Sequence, residues 1–204
     1  MRKIFVTGIG TDVGKTIVAA ILTEALQADY WKPIQCGSLE LTDTERVKRL
    51  VESKQSLFHP EAYRLKTPAS PHYAAEIEKA KIHWGKLKLP ETSNTLVVEG
   101  AGGLLVPFNY KGETMLDMAK NWETEVVVVS RNYLGSINHT LLTLKILQDS
   151  GVKVLGVIFN GQPNPSSEDV ILKTTRAPLL GRIKEEYEFT KDLITAYSRD
   201  YIFI

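Results

Sequence analysis

Apolar residues recur along the chain in two patterns. Short runs rich in β-branched residues fall at 3–7, 30–34, 95–99, 125–130 and 153–160, and each reads as a strand. Two of them, Leu96-Val97-Val98 and Val126-Val127-Val128-Val129, show no polar alternation, the mark of parallel strands covered on both faces. Between the strands, residues 14–27, 44–53, 113–122 and 136–150 carry helical patterns. In the last of these, Leu141, Leu142, Leu144, Ile146 and Leu147 form a broad stripe read as core, and Gly151 follows where a helix C-cap is wanted. The middle, 57–90, is less regular: Pro60, Pro68, Pro71 and Pro90 interrupt it, and a helix is expected over 72–80. Gln162-Pro163-Asn164-Pro165-Ser166-Ser167 reads as a loop. Strand–helix alternation implies right-handed βαβ crossovers, hence an α/β fold with helices on both sides of a mostly parallel sheet. Strand patterns resume after each irregular stretch, so one domain over 1–204 is expected.

Composition and charge narrow the partners. The 204 residues are 43% hydrophobic and 24% charged, an ordinary globular mixture that excludes disordered or collagenous chains. Twenty-five basic residues against 24 acidic ones leave a net charge of +1, which gives no global pull toward nucleic acid or anionic lipid. Any anionic ligand must therefore be drawn by a local site, and no nucleic-acid partner is expected. No apolar run reaches the ~18 residues of a membrane span. The first residues, Met1-Arg2-Lys3-Ile4-Phe5, enter a strand pattern at once and leave no room for a signal peptide. The single Cys36 cannot form an internal disulfide. Both features predict a cytoplasmic protein.

The candidate chemistry starts at Gly8-Ile9-Gly10-Thr11-Asp12-Val13-Gly14-Lys15-Thr16, directly after the first strand and opening the first helix. Phosphate binding needs inward-facing backbone N–H groups, glycines that let the chain curl, and the positive end of a helix. Lys15 would then reach the β- and γ-phosphates, and the Thr16 hydroxyl would ligate Mg²⁺. Five residues separate Gly8 from Gly14, one more than the usual phosphate-loop template. The dinucleotide fingerprint Gly-x-Gly-x-x-Gly fits Gly8 and Gly10 but fails at Val13. A nucleoside triphosphate site is the expectation.

Further segments extend the reading: Lys32-Pro33-Ile34-Gln35-Cys36-Gly37-Ser38, Ser70-Pro71-His72, Val98-Glu99-Gly100-Ala101-Gly102-Gly103, Leu134-Gly135-Ser136-Ile137-Asn138-His139 and Ala177-Pro178-Leu179-Leu180-Gly181. In this order and with the phosphate loop, the chain resembles the dethiobiotin synthetase family over nearly its whole length. The resemblance implies a P-loop NTPase-like α/β/α fold and a ligase with ATP and Mg²⁺. In the implied reaction CO₂ carbamylates one amine of 7,8-diaminopelargonate, ATP phosphorylates the carbamate, and the second amine closes the ureido ring and expels phosphate. It also implies a homodimer with active sites at the subunit interface.

Glu99 ends an apolar strand before a glycine-rich turn, so its carboxylate is expected at the sheet's carboxyl edge, where ligands of open α/β sheets bind. With Thr16 and an acid from the segment after Ser38, it would complete an oxygen-ligand Mg²⁺ site. Asp43 is the choice for that acid, with Glu45 in reserve; Asp43 could instead cap the following helix. Lys32, also at that edge, is expected to stabilise the carbamate and the phosphoryl group in transit alongside Lys15. Thr11 and Asp12 are expected to contact substrate or nucleotide. The resemblance assigns further nucleotide contacts to Val13, Gly14, Ile17, Gly100, Ala101 and Gly102, and places adenine at Asn160-Gly161. Ile183, Lys184 and Glu185 belong to the same implied base pocket, although the family's proline after the isoleucine is missing. It assigns the substrate to Lys32, Cys36, Ser70 and Pro71. The substrate carboxylate is implied to meet the N-terminus of the helix at Ser136, Ile137 and Asn138 of the neighbouring subunit, where an ordinary helix cap is the alternative. Pro71 equally suits the first position of a helix. Cys36 stands where the family commonly has Ser or Thr, and a thiol is the weaker donor. The ending Tyr201-Ile202-Phe203-Ile204 is shorter than in relatives and implies fewer substrate contacts. Two other classes remain: a partition-type ATPase, which usually carries an early loop lysine that Ile9–Val13 lacks, and a small-molecule kinase, which would leave Lys32-Pro33 and Glu99–Gly103 unexplained.

Overall fold

Apolar strand residues sort by parity onto the two faces of one sheet in a computed structural model that describes residues 1–201. Among the described residues seven strands form it: β1 (Lys3–Gly8), β2 (Asp29–Trp31), β4 (Phe58–His59), β6 (Leu96–Gly103), β7 (Glu125–Arg131), β8 (Val154–Asn160) and β9 (Leu179–Ile183). Their order is β4-β2-β6-β1-β7-β8-β9, and each neighbouring pair is parallel. On one face Ile4, Val6, Val97, Val127, Val129 and Ile158 pack with α1 (Lys15–Ala25), Val47 of α2 (Asp43–Leu50) and Ile194 of α7 (Lys191–Ser198). On the other, Phe5, Val98, Val126, Val128, Val157 and Phe159 pack against α3 (Pro71–Ile77), α4 (Met115–Asn121), α5 (Ser136–Asp149) and α6 (Pro165–Thr175). The result is the expected three-layer α/β/α arrangement. No helix among the described residues is long and apolar enough to cross a membrane.

Several sequence expectations need correction. The strand expected over 30–34 is two strands. Pro33 has no N–H to give to a ladder, so β2 ends at Trp31, and β3 (Ile34–Cys36) pairs instead with β5 (Tyr63–Leu65) in a separate two-stranded parallel sheet. The loop expected over 162–167 ends early: the Asn164 side chain accepts from Ser167 N–H and Pro165 takes the first position of α6. That Asn-Pro pair is a helix start. The helix expected from Thr44 begins at Asp43, with Thr42 as its cap. The stripe on α5 is narrower than expected: Leu144 and Leu147 are buried, but Leu142 is 52% exposed. Strands β4, β5 and β9 and helices α6 and α7 had no counterpart among the expected elements. Ile202, Phe203 and Ile204, for which fewer substrate contacts were expected, lie outside the described residues.

Candidate active site

The phosphate loop takes its shape from contacts that leave no room for side chains. At Gly14, the residue before α1, φ is 98°, and a Cβ would lie 2.1 Å from Asn160 Nδ2. Asn160, at the end of β8, donates to the Val13 carbonyl at 2.9 Å and so ties the loop to a strand two places away from β1. Lys15 folds back over the loop and donates to the Gly10 carbonyl at 2.7 Å. This places an ammonium over the curl of backbone N–H groups at the start of α1, the arrangement that receives phosphate oxygens.

Opposite the loop, β6 carries extra chain. Val6 pairs with Glu99 and Gly8 with Gly103, so two residues of advance on β1 match four on β6. Gly100 permits this bulge, because a Cβ there would lie 2.9 Å from the Phe5 ring. Glu99, just before the bulge, is 1% exposed. Its Oε1 accepts from Thr16 Oγ1 at 3.0 Å and from Lys32 Nζ at 2.8 Å, and its Oε2 accepts from the Tyr30 hydroxyl at 2.8 Å. Lys32 reaches this carboxylate because the chain leaves the sheet at Pro33. It also meets Asp43 Oδ2 at 2.8 Å and the Gly100 carbonyl at 3.3 Å. Asp43 is free to do so because Thr42, not Asp43, caps α2. Thr42 Oγ1 accepts from Glu45 N–H, and Glu45 Oε2 accepts from Thr42 N–H in a reciprocal box. That engagement takes Glu45, the reserve acid, out of the cluster.

The charges of the cluster hold one another. Burial alone would lower the Lys32 pKa, but Glu99 and Asp43 together outweigh it and hold the ammonium above the usual lysine range. Burial would raise Asp43, and the Lys32 charge and hydrogen bond hold it below the usual carboxylate range. Lys15 is pushed down to about 8, first by burial and then by repulsion from Lys32, against the pull of Glu99, Asp43 and Asp12. Burial pushes the Cys36 thiol up to about 11, which leaves it neutral at physiological pH. Two carboxylates and a hydroxyl converging within reach of the phosphate loop are the hard oxygen donors that Mg²⁺ takes, so the residues fit that ion.

These groups border a cleft of about 1160 Å³. Thr11, Asp12, Gly14, Lys15, Thr16, Ile17, Lys32, Asp43 and Glu99 line it, joined by Cys36, Ser70, Pro71, Ala101 and Gly102. Pro71 is the first residue of α3. Val13 is buried beneath the loop, and Gly100 meets the cleft only through its contact with Lys32. The remaining candidates lie elsewhere in the chain. Gly161 N–H donates to the Ile183 carbonyl, Lys184 N–H to the Tyr197 hydroxyl, and Glu185 pairs with Arg131 at 2.9 Å. These contacts organise the carboxyl ends of β7, β8 and β9 beside Asn160. Ser136, Ile137 and Asn138 open α5 behind Gly135, which makes no side-chain cap. Ser136 Oγ accepts from Tyr133 N–H, and none of the three borders the cleft within one chain.

Sequence reasoning missed other cleft residues. Gln35 accepts from Asp43 N–H and donates to the Gly37 carbonyl, bridging the turn after β3 to α2. Arg46 and Arg49 reach the cleft from α2, and Glu188, Phe189, Thr190 and Lys191 from the start of α7. Thr190 caps α7 by accepting from Leu193 N–H. A Thr before an apolar-periodic run was the available signal.

A family model described as an AAA domain matches residues 2–192. The ATP-dependent dethiobiotin synthetase BioD of Christiangramia forsetii is 48% identical over 200 residues, 98% of this chain and 96% of that protein. That of Cytophaga hutchinsonii is 49% identical over 97% of this chain and 96% of its own length. That of Chlamydia pneumoniae is 40% identical over 98% and 90%. Among solved structures, the septum site-determining protein MinD of Pyrococcus horikoshii, complexed with Mg-ADP, has a TM-score of 0.60 at 16% identity, covering 98% of this chain and 95% of that one. The cell division ATPase MinD of Pyrococcus furiosus scores 0.59 at 15% identity over 98% of both. At such low identity these two likenesses show the shared fold alone, whereas the curated relatives match along nearly the full length of both chains. This chain belongs to the dethiobiotin synthetase family.

Proposed function

We propose that the protein converts 7,8-diaminopelargonate, CO₂ and ATP to dethiobiotin, ADP and phosphate, with Mg²⁺ in the site. The observation that carries this reading is the convergence of Lys32, Glu99, Asp43 and Thr16 beside a phosphate loop, in a chain so similar to named dethiobiotin synthetases. One amine nitrogen attacks CO₂ and loses a proton, giving a carbamate. A carbamate oxygen attacks the γ-phosphorus of ATP, the bond to the β-phosphate oxygen breaks, and ADP leaves. The second amine then attacks the carbonyl carbon of this carbamic–phosphoric anhydride, and phosphate departs with the amine proton. Bound Mg²⁺ would supply charge neutralisation for the phosphates from Thr16, Asp43 and Glu99.

This chain's own residues do the positioning. Phosphate oxygens lie in the loop 8–14 against the helix N-terminus, with Lys15 turning from the Gly10 carbonyl toward them. Lys32 has three ammonium protons. Two face Glu99 and Asp43 at 2.8 Å, and the third faces the Gly100 carbonyl at 3.3 Å. The longest contact is the one most readily exchanged for a carbamate oxygen. Thr11 joins Lys15 and Lys32 at the reacting groups, and Asp12 is suited to a substrate amine rather than to phosphate. The diamine lies between the loop and Cys36, Ser70 and Pro71. Asn160, Gly161, Ile183, Lys184 and Glu185 form the adenine side.

The substrate carboxylate meets the open helix start at Ser136, Ile137 and Asn138 of a second subunit, because these residues lie away from the cleft of their own chain. The site is thus completed in a homodimer, each subunit one domain; the lone Cys36 accords with the reducing cytoplasm. Phosphate release from ATP, followed continuously, is expected to require both the diamine and bicarbonate and to stop when Mg²⁺ is chelated. Sedimentation under the same conditions should show a dimer. Phosphate release indifferent to the diamine, or a monomer at full activity, would contradict the reading.

A further inference from the structure

Tyr30 is a fully buried phenol with no part in the mechanism above. It sits in the middle of β2 opposite Val97 of β6. Side chains alternate along a strand, so Tyr30, Val97 and Glu99 project from one face of the sheet. The neighbours on that face are valines, isoleucines and alanines, together with Phe58, whose ring centroid is 6.4 Å away. A phenol in such surroundings needs a partner for its hydroxyl. The partner is Glu99 Oε2, at 2.8 Å.

The two oxygens of Glu99 are thereby made unequal. Oε1 receives Thr16 and Lys32, the groups that face the cleft, and Oε2 receives Tyr30 from within the core. The last torsion of a glutamate side chain is broad and holds its carboxylate only weakly. We propose that Tyr30 is a positioning residue for phosphoryl transfer: its hydroxyl pins Glu99 Oε2 from below, so that Oε1 is held toward Thr16, Lys32 and the cation. The inference rests on the reading of Glu99 as a cation ligand. Without the hydroxyl, Oε2 would be a buried carboxylate oxygen lacking a donor, and the carboxylate would turn to find one.

The test is Tyr30→Phe, which keeps the ring. Free Mn²⁺ measured by electron paramagnetic resonance reads cation binding to the enzyme–ADP complex without turnover. The variant is expected to bind Mn²⁺ about 10-fold more weakly and to lose about 10-fold in kcat, the usual cost of removing a partner of a metal ligand. KM for the diamine should stay near the wild-type value, and the melting curve should remain cooperative. Phe58→Leu loosens the ring's seat but keeps the hydroxyl, and should leave Mn²⁺ binding unchanged. Three results would overturn the proposal: wild-type Mn²⁺ binding by Tyr30→Phe, equal weakening by Phe58→Leu, or a Tyr30→Phe chain that does not fold. A wild-type enzyme that binds Mn²⁺ but makes no dethiobiotin would count against the proposed function instead.

Discussion

Lys32→Ala is expected to lower kcat by about 10²–10³-fold, the size of effect seen when a fixed donor at a developing charge is removed. The same change should destabilise the folded chain by about 3–5 kcal/mol, because it leaves the buried Glu99 carboxylate without its cation. Glu99 is 1% exposed, and its Oε1 and Asp43 Oδ2 each lie 2.8 Å from the same Nζ. With the ammonium gone, the buried Glu99 and the half-buried Asp43 face each other as two like charges at the wall of the cleft. Millimolar Mg²⁺ should therefore recover part of the lost stability in a thermal melt, while kcat stays low. The two readouts separate the two roles of the lysine. Recovery of stability without activity fits a residue that both neutralises the resting site and acts in transfer. If Lys32→Ala kept near wild-type kcat, the lysine would be a counter-ion only.

The affinity of the free enzyme for ATP is expected to fall as pH rises through about 8, the value to which burial and Lys32 push the Lys15 ammonium. The sign follows from linkage. Phosphate oxygens bind the charged form and raise its pKa in the complex, so binding takes up a proton once pH exceeds the free-enzyme value. Apparent affinity should then drop by about tenfold per pH unit until the raised pKa of the complex is reached. Below pH 8 the free lysine is already charged and the curve should be flat. Lys15→Met should bind about 10–100-fold more weakly at pH 7, the worth of lost charge-assisted hydrogen bonds, and should show no inflection. Equilibrium binding of ATP between pH 6.5 and pH 9.5 measures both. A flat wild-type profile would mean that Lys15 keeps its proton throughout.

Much of this arrangement could be read from the chain because its signals are local. The uninterrupted apolar runs at 96–98 and 126–129 specify central parallel strands, and the loop 8–16 specifies a phosphate cradle whatever the fold around it. The Lys32-Pro33 pair was legible as a candidate for the cleft but not as a break in the sheet, since one strand pattern runs across it and only the partner β5 shows where the second half goes. The Asp43 choice depended on a single residue of phase. A helix beginning at Thr44 would have made Asp43 its cap; Thr42, one turn from Glu45, takes that role and releases Asp43 to Lys32. Tyr30 carried no signal at all, because a tyrosine in a strand reads as core until the carboxylate beside it is seen. The cleft residues 188–191 are brought in by α7, whose packing against α1 is a tertiary fact.

The fold does not decide the function by itself. MinD proteins share the architecture at 15–16% identity, whereas the family is shown by dethiobiotin synthetases 48–49% identical along nearly the whole chain. We propose that the lysine–carboxylate cluster serves a ring closure and not a bare nucleotide switch. Purified protein with 7,8-diaminopelargonate, ¹³C-bicarbonate and Mg·ATP, followed by mass spectrometry, tests it most directly. Dethiobiotin carrying one ¹³C in its ureido carbon, formed one for one with phosphate, is the expected product. ATP hydrolysis without any labelled ring product would contradict the proposal.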